Sequence, residues 1–387
     1  MENFDIVIVG AGPAGLGFAR RLAGSGLKVA LVERLAESVL AAPPEDGRDI
    51  ALTHASEAIM EELGMWAHIS EAEYGVIRDA KVVNGRSAYA LHFESSQSGK
   101  DYLGRIVPNH LIRKAAYLQV KDLPDVTLIC DMSVDEVSTG RVTLADGRVL
   151  AASLVVAADS RFSETRRKMG IGAEMEDFGR VVIVCEMAHT LAHDNVATEC
   201  FHYDQTLAIL PMNGDISSVV VTLPSDKAEA AMALPEAAFA ADIQARFGGK
   251  LGKMELISKR VAYPLVGVFA KRFVAPRFAL VGDAAVGMHP VTAHGYNLGL
   301  TGAAILADAV RQAAIEGTDI GDIRVLGRYE RAHRKVARPL YLGTNALVKL
   351  YTDTRLPAKI LRGAALRLGN VLPPVKSRIV QQLTQIT

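Results

Sequence analysis

The stretch Asp5-Ile-Val-Ile-Val-Gly10-Ala-Gly12-Pro-Ala-Gly15 decides the fold of this chain of 387 residues. A short apolar run, typical of a buried strand, leads into a glycine turn that opens directly into a helix. Gly10 permits the tight turn, Gly12 lets the backbone approach a pyrophosphate, and Gly15 allows the helix to pack closely on the strand. The spacing predicts the first half of a dinucleotide-binding unit.

The residues around these glycines favour the same interpretation. Pro13 and Ala14 begin the helix, whose unpaired N–H groups and positive dipole suit the phosphates of a nucleotide. The next apolar run ends at Glu33, where a carboxylate can accept hydroxyl groups of a ribose, and Arg34 follows it. Three glycines alone would fit an ordinary strand–helix turn, so the prediction depends on strand, helix and acid together. This stretch leaves NAD and FAD as alternatives.

Composition excludes several classes of protein. Lys and Arg together number 43, as do Asp and Glu, and half of the residues are hydrophobic, which argues against disorder and against a nucleic-acid-binding surface built on global charge. Three scattered cysteines without a CxxC pair indicate neither a disulfide framework nor a metal site. The chain enters its first strand at once and has no uninterrupted apolar run long enough to span a bilayer. We therefore expect a cytoplasmic protein.

The order of patterns along the chain predicts an interrupted domain. Between about residues 172 and 272, β-like runs and one helical stretch indicate a separate sheet-plus-helix unit. Phe278-Ala-Leu-Val-Gly282-Asp283 is then a second short strand ending in a turn, followed by a helix predicted from about Leu298 to Glu316. We predict an α/β fold, in which a Rossmann-like cofactor-binding domain carries an α+β substrate domain as an insertion.

The predicted limits follow from these changes of pattern. The cofactor-binding domain covers residues 1–75, 100–171 and 273–335, the substrate domain 76–99 and 172–272, and a helical C-terminal tail 336–387. From residue 340 to the end, the chain has seven basic residues and one acidic residue, Asp353. Basic residues beside apolar helix faces favour anionic lipid headgroups, which predicts peripheral contact with the inner face of the cytoplasmic membrane. The alternative is a helix with a solvated basic face that covers the cofactor domain or meets another subunit.

A family resemblance begins at the second strand–turn unit. The string Gly282-Asp283-Ala-Ala, then His289-Pro290, then Gly295-Tyr296-Asn297-Leu-Gly-Leu resembles the second FAD motif of the flavin-dependent aromatic hydroxylases, which include para-hydroxybenzoate hydroxylase. It is most similar to the hydroxylases of ubiquinone biosynthesis. The resemblance implies FAD as the cofactor, and NAD(P)H as the reductant that binds transiently.

The same resemblance implies roles for individual residues. It places the Asp283 carboxylate on a hydroxyl of the ribityl chain and Pro290 beside the isoalloxazine ring. Backbone N–H groups at Gly295, Tyr296 and Asn297 would donate to the N1/O2 edge of the flavin. Such donors at a helix N-terminus stabilise the negative charge of reduced flavin. Pro290 and His294 are the candidate catalytic residues, although His294 stands where many ubiquinone hydroxylases have Gln and could equally serve packing.

Three further stretches resemble parts of the family pattern. Asp159-Ser160-Arg161-Phe162-Ser163-Glu-Thr-Arg166 resembles its Asp-Gly motif, with Asp159 and Arg166 matched and Ser160 in place of the glycine. Without the resemblance it would be a helix N-cap with a charged face. Arg48 would lie near the flavin or its phosphates, although a lone loop arginine could equally be a surface residue. Arg105 would lie near the start of a cofactor-contacting helix.

The implied reaction is hydroxylation of the aromatic ring of a prenylated phenol or quinone precursor by O₂, with FAD reduced by NAD(P)H. The cofactor then supplies the difficult chemistry, which explains why no catalytic triad is evident. A complex with other ubiquinone-biosynthesis proteins is a further expectation. The alternatives are hydroxylation of another small aromatic compound, a flavin reductase acting on an isoprenoid substrate, and a non-catalytic FAD-binding subunit.

Overall fold

The structure is a computed structural model that describes residues 1–85, 90–202, 205–289 and 294–352. Its strands, numbered in chain order, are β1 Glu2–Val9, β2 Val29–Val32, β3 Asp49–Leu52, β4 Gly75–Ile77, β5 Asp79–Asn84, β6 Ala90–Glu94, β7 Gly104–Pro108, β8 Val126–Ile129, β9 Val134–Ser138, β10 Arg141–Leu144, β11 Val149–Ala157, β12 Ala173–His189, β13 Val196–Phe201, β14 Thr206–Pro211, β15 Ile216–Pro224, β16 Met254–Leu256, β17 Val261–Ala270, β18 Val274–Ala275, β19 Phe278–Leu280 and β20 Val286–Gly287. Its α-helices are α1 Pro13–Arg21, α2 Glu37–Ala41, α3 His54–Glu62, α4 Asn109–Leu118, α5 Glu164–Lys168, α6 Ser225–Ala233, α7 Glu236–Arg246, α8 His294–Ile315 and α9 Ile323–Thr352.

The first sheet holds the cofactor-binding half of the chain. Its central strands run parallel in the order β19-β11-β1-β2-β8, with the β9–β10 hairpin and β18 added antiparallel. The last four residues of β1 are all buried, as expected for a strand covered by helices on both faces. The distant strand β19 therefore completes the sheet begun by β1, which confirms the predicted α/β class.

The second sheet belongs to the inserted part of the chain. Its order is β20-β17-β12-β15-β14-β13-β5-β6, with β16 beside β12, and nearly all neighbours are antiparallel. One face packs against α7 through Phe239, Ala240 and Ile243. We call the opposite face, which is turned towards β3 and the loop before it, the inner face. A third sheet of order β3-β7-β4 lies between the two parts of the chain.

Strand pairing crosses the predicted domain limits at two places. Residues 76 and 77, at the start of the predicted substrate domain, lie in β4, which pairs with β7 in the small sheet. Residues 286 and 287, inside the predicted cofactor domain, form β20, which pairs with β17 of the second sheet. The division into domains stays a prediction.

The helix α9 runs through the predicted start of the tail at residue 336. Pro339 lies inside it, and the buried residues Ala337, Tyr341 and Val348 on both sides of the proline belong to one face. Packing of this face holds the helix together across the missing N–H group of the proline. The structure thus has no break at 336, and residues 353–387 of the predicted tail lie outside the described residues.

The helix α8 begins one turn before its predicted start and fills the core of the first part. It packs against α1, α3 and α9. By length and composition it is the one helix of the described ranges that could cross a membrane, yet half of its most apolar window is buried inside the structure. Its burial identifies it as a core helix in this fold.

A buried histidine in this core predicts sensitivity of the fold to acid. His333 of α9 is 1 % exposed, stacks on Tyr329, and has no hydrogen-bond partner at either ring nitrogen. Burial lowers the pKa of His333 to about 4. The unfolded chain therefore takes up a proton near pH 6.5 while the folded chain does not, so stability is lost as pH falls from about 6.5 towards 4, by about 3 kcal/mol. Urea unfolding at several pH values should show this loss, and His333→Phe should reduce it. An equal pH dependence in the Phe variant would contradict the assignment.

Candidate active site

The glycine turn packs as tightly as its spacing predicts. Gly10 has a φ of +107°, and a Cβ placed there would lie 2.6 Å from the carbonyl oxygen of Ala158 on the neighbouring strand. A Cβ on Gly15 would collide with the Gly10 carbonyl oxygen. A Cβ on Gly12, in contrast, would meet no protein atom within 4 Å. Gly10 and Gly15 thus serve the packing of strand on helix, whereas Gly12 borders open space.

The helix α1 offers its N-terminus to that space. Gly12 is its N-cap and supplies no capping side chain, and Pro13 and Ala14 form its first turn. The first N–H group bonded within the helix is that of Leu16, which donates to the Gly12 carbonyl at 2.9 Å. The preceding N–H groups remain available to an anion, as a pyrophosphate requires.

Glu33 is buried and already organises the glycine turn. Its Oε2 accepts a hydrogen bond from the Ala11 N–H at 2.7 Å, and its Oε1 accepts one from the Leu35 N–H at 3.0 Å. Each carboxylate oxygen has a second lone pair for a ribose hydroxyl. Arg34, next to it, is exposed. The predicted ribose ligand is therefore also a brace of the phosphate-binding turn.

The second motif lies against the first, some 270 residues away along the chain. Gly282 has a φ of +60°, and a Cβ on it would come within 2.9 Å of the Ala14 Cβ. Asp283 follows at the turn, with its side chain about one-third exposed. The two predicted cofactor motifs thus form one surface.

Arg161 is a neighbour of Asp283 to which the sequence assigned no role. Its Nη2 and Nε donate to Asp283 Oδ2 at 3.0 and 3.2 Å, and its Nη1 donates to the Val266 carbonyl at 3.2 Å. Because Arg161 uses only Oδ2, Oδ1 keeps its acceptor capacity for a ribityl hydroxyl. The pair joins the Gly-Asp turn to strand β17 of the second sheet. A position that varies in the family motif and a partner 122 residues away gave no signal in the sequence.

Asp159 and Arg166 hold the backbone around this turn. Asp159 Oδ2 accepts from the Thr165 N–H at 3.2 Å, while its buried Oδ1 has no partner. Arg166 is 2 % exposed, and its Nη1 donates to the carbonyl of Ala284 at 2.8 Å. Ser160, which replaces the glycine of the family motif, is not among the residues with a positive φ. The substitution therefore causes no backbone strain.

The start of α8 carries the predicted flavin-edge residues. His294 is buried at its first position, and a Cβ on Gly295 would meet no atom within 4 Å. The Tyr296 hydroxyl is buried without a hydrogen-bond partner. The first N–H groups of this helix have no acceptor within it, so they can serve the flavin. Pro290 lies outside the described residues.

Asn297 uses its side chain for a purpose that the sequence did not indicate. It is fully buried; its Nδ2 donates to the Ala51 carbonyl at 2.8 Å, and its Oδ1 accepts from the Thr53 N–H at 3.1 Å. Ala51 and Thr53 belong to the end of β3 and the N-cap of α3. One side chain thus fixes the start of α8 to the end of β3.

Arg48 lies in a loop that is fastened to the second sheet. Its guanidinium pairs with Asp46 at 2.5 Å and lies 5.5 Å from the centre of the Tyr263 ring. The Tyr263 hydroxyl donates to the Asp46 carbonyl at 2.7 Å. The side chain of Arg48 is about half exposed, so it remains accessible to a cofactor.

Arg105 is engaged within the protein. Its guanidinium lies 4.7 to 5.1 Å from the ring centres of Trp66, Tyr74 and Tyr102, and it pairs with Glu57 at 3.1 Å. Tyr102 also donates to Glu57, at 2.7 Å. This arrangement joins β7 to α3. A role for Arg105 in binding the cofactor stays a prediction, which these contacts do not support.

The inner face of the second sheet combines an apolar patch with isolated carboxyl groups. The patch consists of Val182, Val184 and Leu265, with Phe178, Val220, Val261 and Tyr263 around them. Burial raises the pKa of Asp49 to about 7, and the nearby carboxyl group of Glu186 also raises it. The hydrogen bond from Ser218 lowers this pKa but does not offset the burial. Burial also raises the pKa of Glu199 to about 8. No sequence motif marked these acids, since each stands alone in an ordinary β-like run.

The site fits FAD by its own geometry. Gly12 and the open N-terminus of α1 suit the pyrophosphate, the buried Oδ1 of Asp159 lacks a partner, and α8 begins at the position where the flavin edge is expected. No group of three His, Cys, Asp or Glu residues that could hold a metal ion occurs in the described part of the chain.

Comparison with known proteins agrees with this geometry. The family model described as "FAD binding domain" matches residues 3–341. The chain belongs to this family. Its two motif ends, Gly10–Gly15 and Gly282–Asp283, both lie inside the matched range, and FAD is the cofactor that the family binds.

Two curated relatives and two solved structures extend the comparison. The chain is 51% identical to ubiquinone hydroxylase UbiM of Neisseria meningitidis, over 98% of this chain and 84% of the relative. It is 35% identical to ubiquinone hydroxylase UbiL of Rhodospirillum rubrum, over 94% and 86%. The fold is similar to p-nitrophenol 4-monooxygenase PnpA of Pseudomonas putida, with a TM-score of 0.80 at 19% identity over 99% of both chains. It is also similar to PqsL of Pseudomonas aeruginosa, with a TM-score of 0.76 at 21% identity over 95% and 100%.

Proposed function

We propose that this member of the FAD-binding family hydroxylates the aromatic ring of a prenylated phenol in ubiquinone biosynthesis, using NAD(P)H and O₂. The observation that carries the proposal is the 51% identity to a ubiquinone hydroxylase over nearly the whole chain. When bound, FAD supplies the activation of oxygen. The protein orients the ring and excludes water from it.

The inner face supports a substrate of this kind. Val182, Val184 and Leu265 are buried, and around them the partly exposed side chains of Phe178, Val220 and Val261 offer apolar surface without charge. An aromatic ring with an isoprenoid substituent buries apolar area against such a patch. Asn297 fixes β3, which borders this face, to the helix start at the flavin edge.

The direct test measures a product. The purified full chain, loaded with FAD, is supplied with 2-prenylphenol, oxygen labelled with ¹⁸O, and either NADH or NADPH. We expect a ring-hydroxylated product carrying one labelled oxygen, with NAD(P)H oxidation and O₂ uptake coupled to it. Mass spectrometry of quinone intermediates in a strain lacking the protein should show accumulation of an unhydroxylated intermediate.

The alternatives give different results. A flavin reductase acting on an isoprenoid would oxidise NAD(P)H without placing labelled oxygen in the ring, and a non-catalytic subunit would bind FAD but oxidise no NAD(P)H with any phenol. Normal ubiquinone in the deletion strain would contradict the proposal. Contact with the cytoplasmic membrane and with other ubiquinone-biosynthesis proteins stays a prediction based on the basic tail, most of which lies outside the described residues.

A further inference from the structure

Glu199 occupies a position on the inner face that its neighbours along the strand define. Cys200 belongs to the apolar cluster between the second sheet and α7, on the other face. Ala197 and Phe201 belong instead to a cluster that also includes Ala51. Because side chains alternate along a strand, Glu199 points to the same side as Ala197 and Phe201.

This side is the one that carries the flavin-edge contacts. Ala51 packs in the cluster that flanks Glu199, and its carbonyl accepts the hydrogen bond from Asn297 at the start of α8. Glu199 therefore lies on the inner face of the second sheet. Its partner in register on β14 is Ala208, which in turn pairs with Val220 of the apolar patch, so Glu199 and that patch share one row of the sheet. Its side chain is partly exposed.

The carboxyl group of Glu199 has few polar neighbours. Its neighbours across the sheet are Ala208 of β14 and Val82 of β5. The hydroxyl of Thr206 is its hydrogen-bond partner, and no arginine or lysine of the described ranges shifts its pKa. A carboxyl group kept in apolar surroundings without a counter-ion is costly to bury, and such groups are typical of sites that handle protons.

We propose that Glu199 is the catalytic base that accepts the proton from the hydroxyl group of the phenolic substrate. The inference rests on the proposed function. The O–H bond of the substrate breaks, the proton forms a bond with a carboxylate oxygen of Glu199, and the electron pair stays on the substrate oxygen. The resulting phenolate pushes electron density into the ring, which aids attack on an electrophilic oxygen supplied by O₂ and NAD(P)H through the flavin.

Charge separates Glu199 from the other buried acid of this face. Asp49 lies near a second carboxyl group, that of Glu186, so a phenolate formed beside it would meet negative charge. Glu199 becomes neutral on taking the proton, and among the described residues no second carboxylate shifts its pKa, so a phenolate beside it meets no such negative charge. The raised pKa of Glu199, about 8, is close to the pH at which the reaction would run, as an efficient base requires.

The test compares variants by the pH dependence of kcat/KM for 2-prenylphenol. In the wild type, kcat/KM should rise with pH through an apparent pKa near 8 as Glu199 ionises. Glu199→Gln should lower kcat/KM about 100-fold or more. It should also abolish the rise of kcat/KM with pH, which we call the rising limb of the profile. FAD content should stay unchanged, and NAD(P)H-dependent O₂ uptake should continue with less product per oxygen. Glu199→Asp should restore part of the activity.

Thr206→Val provides a readout that a merely structural role would not move. The Thr206 hydroxyl stabilises the ionised carboxylate and lowers its pKa, so its removal should shift the limb to higher pH. This variant also decides the matter if Glu199→Gln loses FAD. Glu255→Gln, at an exposed glutamate of the same sheet, serves as the matched control and should leave the profile unchanged.

Three results would overturn the proposal. They are an unchanged limb in Thr206→Val, wild-type kcat/KM in Glu199→Gln, and loss of the limb in Asp49→Asn instead. Absence of product from the wild type would refute the proposed function itself. If the wild type forms product and Glu199→Gln has the same kcat/KM and pH profile, only the role of Glu199 is refuted.

Discussion

Gly12→Val should produce a folded protein that no longer binds FAD. A Cβ on Gly12 meets no protein atom within 4 Å, so a side chain there starts into open space in the apoprotein. The same space lies at the open N-terminus of α1, where the pyrophosphate must approach the backbone. We expect FAD affinity to fall at least about 100-fold, a loss of about 3 kcal/mol of binding free energy. Flavin fluorescence titration of the apoprotein measures it.

The comparison that makes this result specific is a glycine far from the cofactor. Gly343 of α9 is exposed, and a Cβ on it also meets no atom within 4 Å. Gly343→Ala should keep wild-type FAD affinity and gain a few tenths of a kcal/mol up to about 1 kcal/mol in stability. A Gly12→Val protein that binds FAD as tightly as Gly343→Ala would show that the phosphates lie elsewhere. A thermal midpoint of the Gly12→Val apoprotein equal to that of the wild-type apoprotein would exclude misfolding as the reason for lost binding.

The cofactor half of the site could be predicted because its signals are local. Gly10 needs a positive φ within one turn, and Glu33 stands at a fixed distance from it in a strand–helix–strand unit. Short-range geometry of this kind leaves a pattern that a single sequence carries. It could also be predicted that β19 joins the first sheet, because a short apolar strand that ends in Gly-Asp and leads to a helix is typical of a parallel sheet.

The parts that escaped prediction depend on contacts between distant residues. Arg161 meets Asp283 across 122 positions, and Asn297 meets Ala51 across 246. No sequence pattern links either pair, since an arginine or an asparagine can form hydrogen bonds with many kinds of partner. The sequence likewise did not indicate the contacts of Arg105, whose guanidinium lies against three aromatic rings and pairs with Glu57, while its role towards the cofactor stays a prediction.

The substrate half was the least predictable. A glutamate in the run Val196–Phe201 gives no sign of which face it occupies until the strand's neighbours are known. Register then decides its chemistry, because a shift by one residue would move Glu199 from the inner face to the core beneath α7. The same argument applies to Asp49, whose hydrogen-bond partner Ser218 lies on a distant strand.

Asn297→Leu should weaken both the fold and the binding of FAD. The substitution removes a fully buried amide and both of its hydrogen bonds, the one to the Ala51 carbonyl and the one from the Thr53 N–H. Each buried hydrogen bond broken by removing one partner costs about 1–3 kcal/mol, so we expect the free energy of unfolding to fall by about 2–5 kcal/mol. Urea unfolding of the apoprotein measures this loss.

The loss of FAD affinity should remain under conditions where the variant is fully folded. Asn297 fixes the first turn of α8, whose N–H groups must keep their positions to serve the flavin edge, and a displaced donor contributes little. Thr301, one turn later on α8, donates only to the Asn297 carbonyl within the helix. Thr301→Val should therefore leave FAD affinity unchanged and alter stability by less than about 1 kcal/mol. If Asn297→Leu matched Thr301→Val in both measurements, the hydrogen bonds from Asn297 to β3 would not support the flavin site. Another contact would then have to hold the start of α8 beside the inner face on which Glu199 lies.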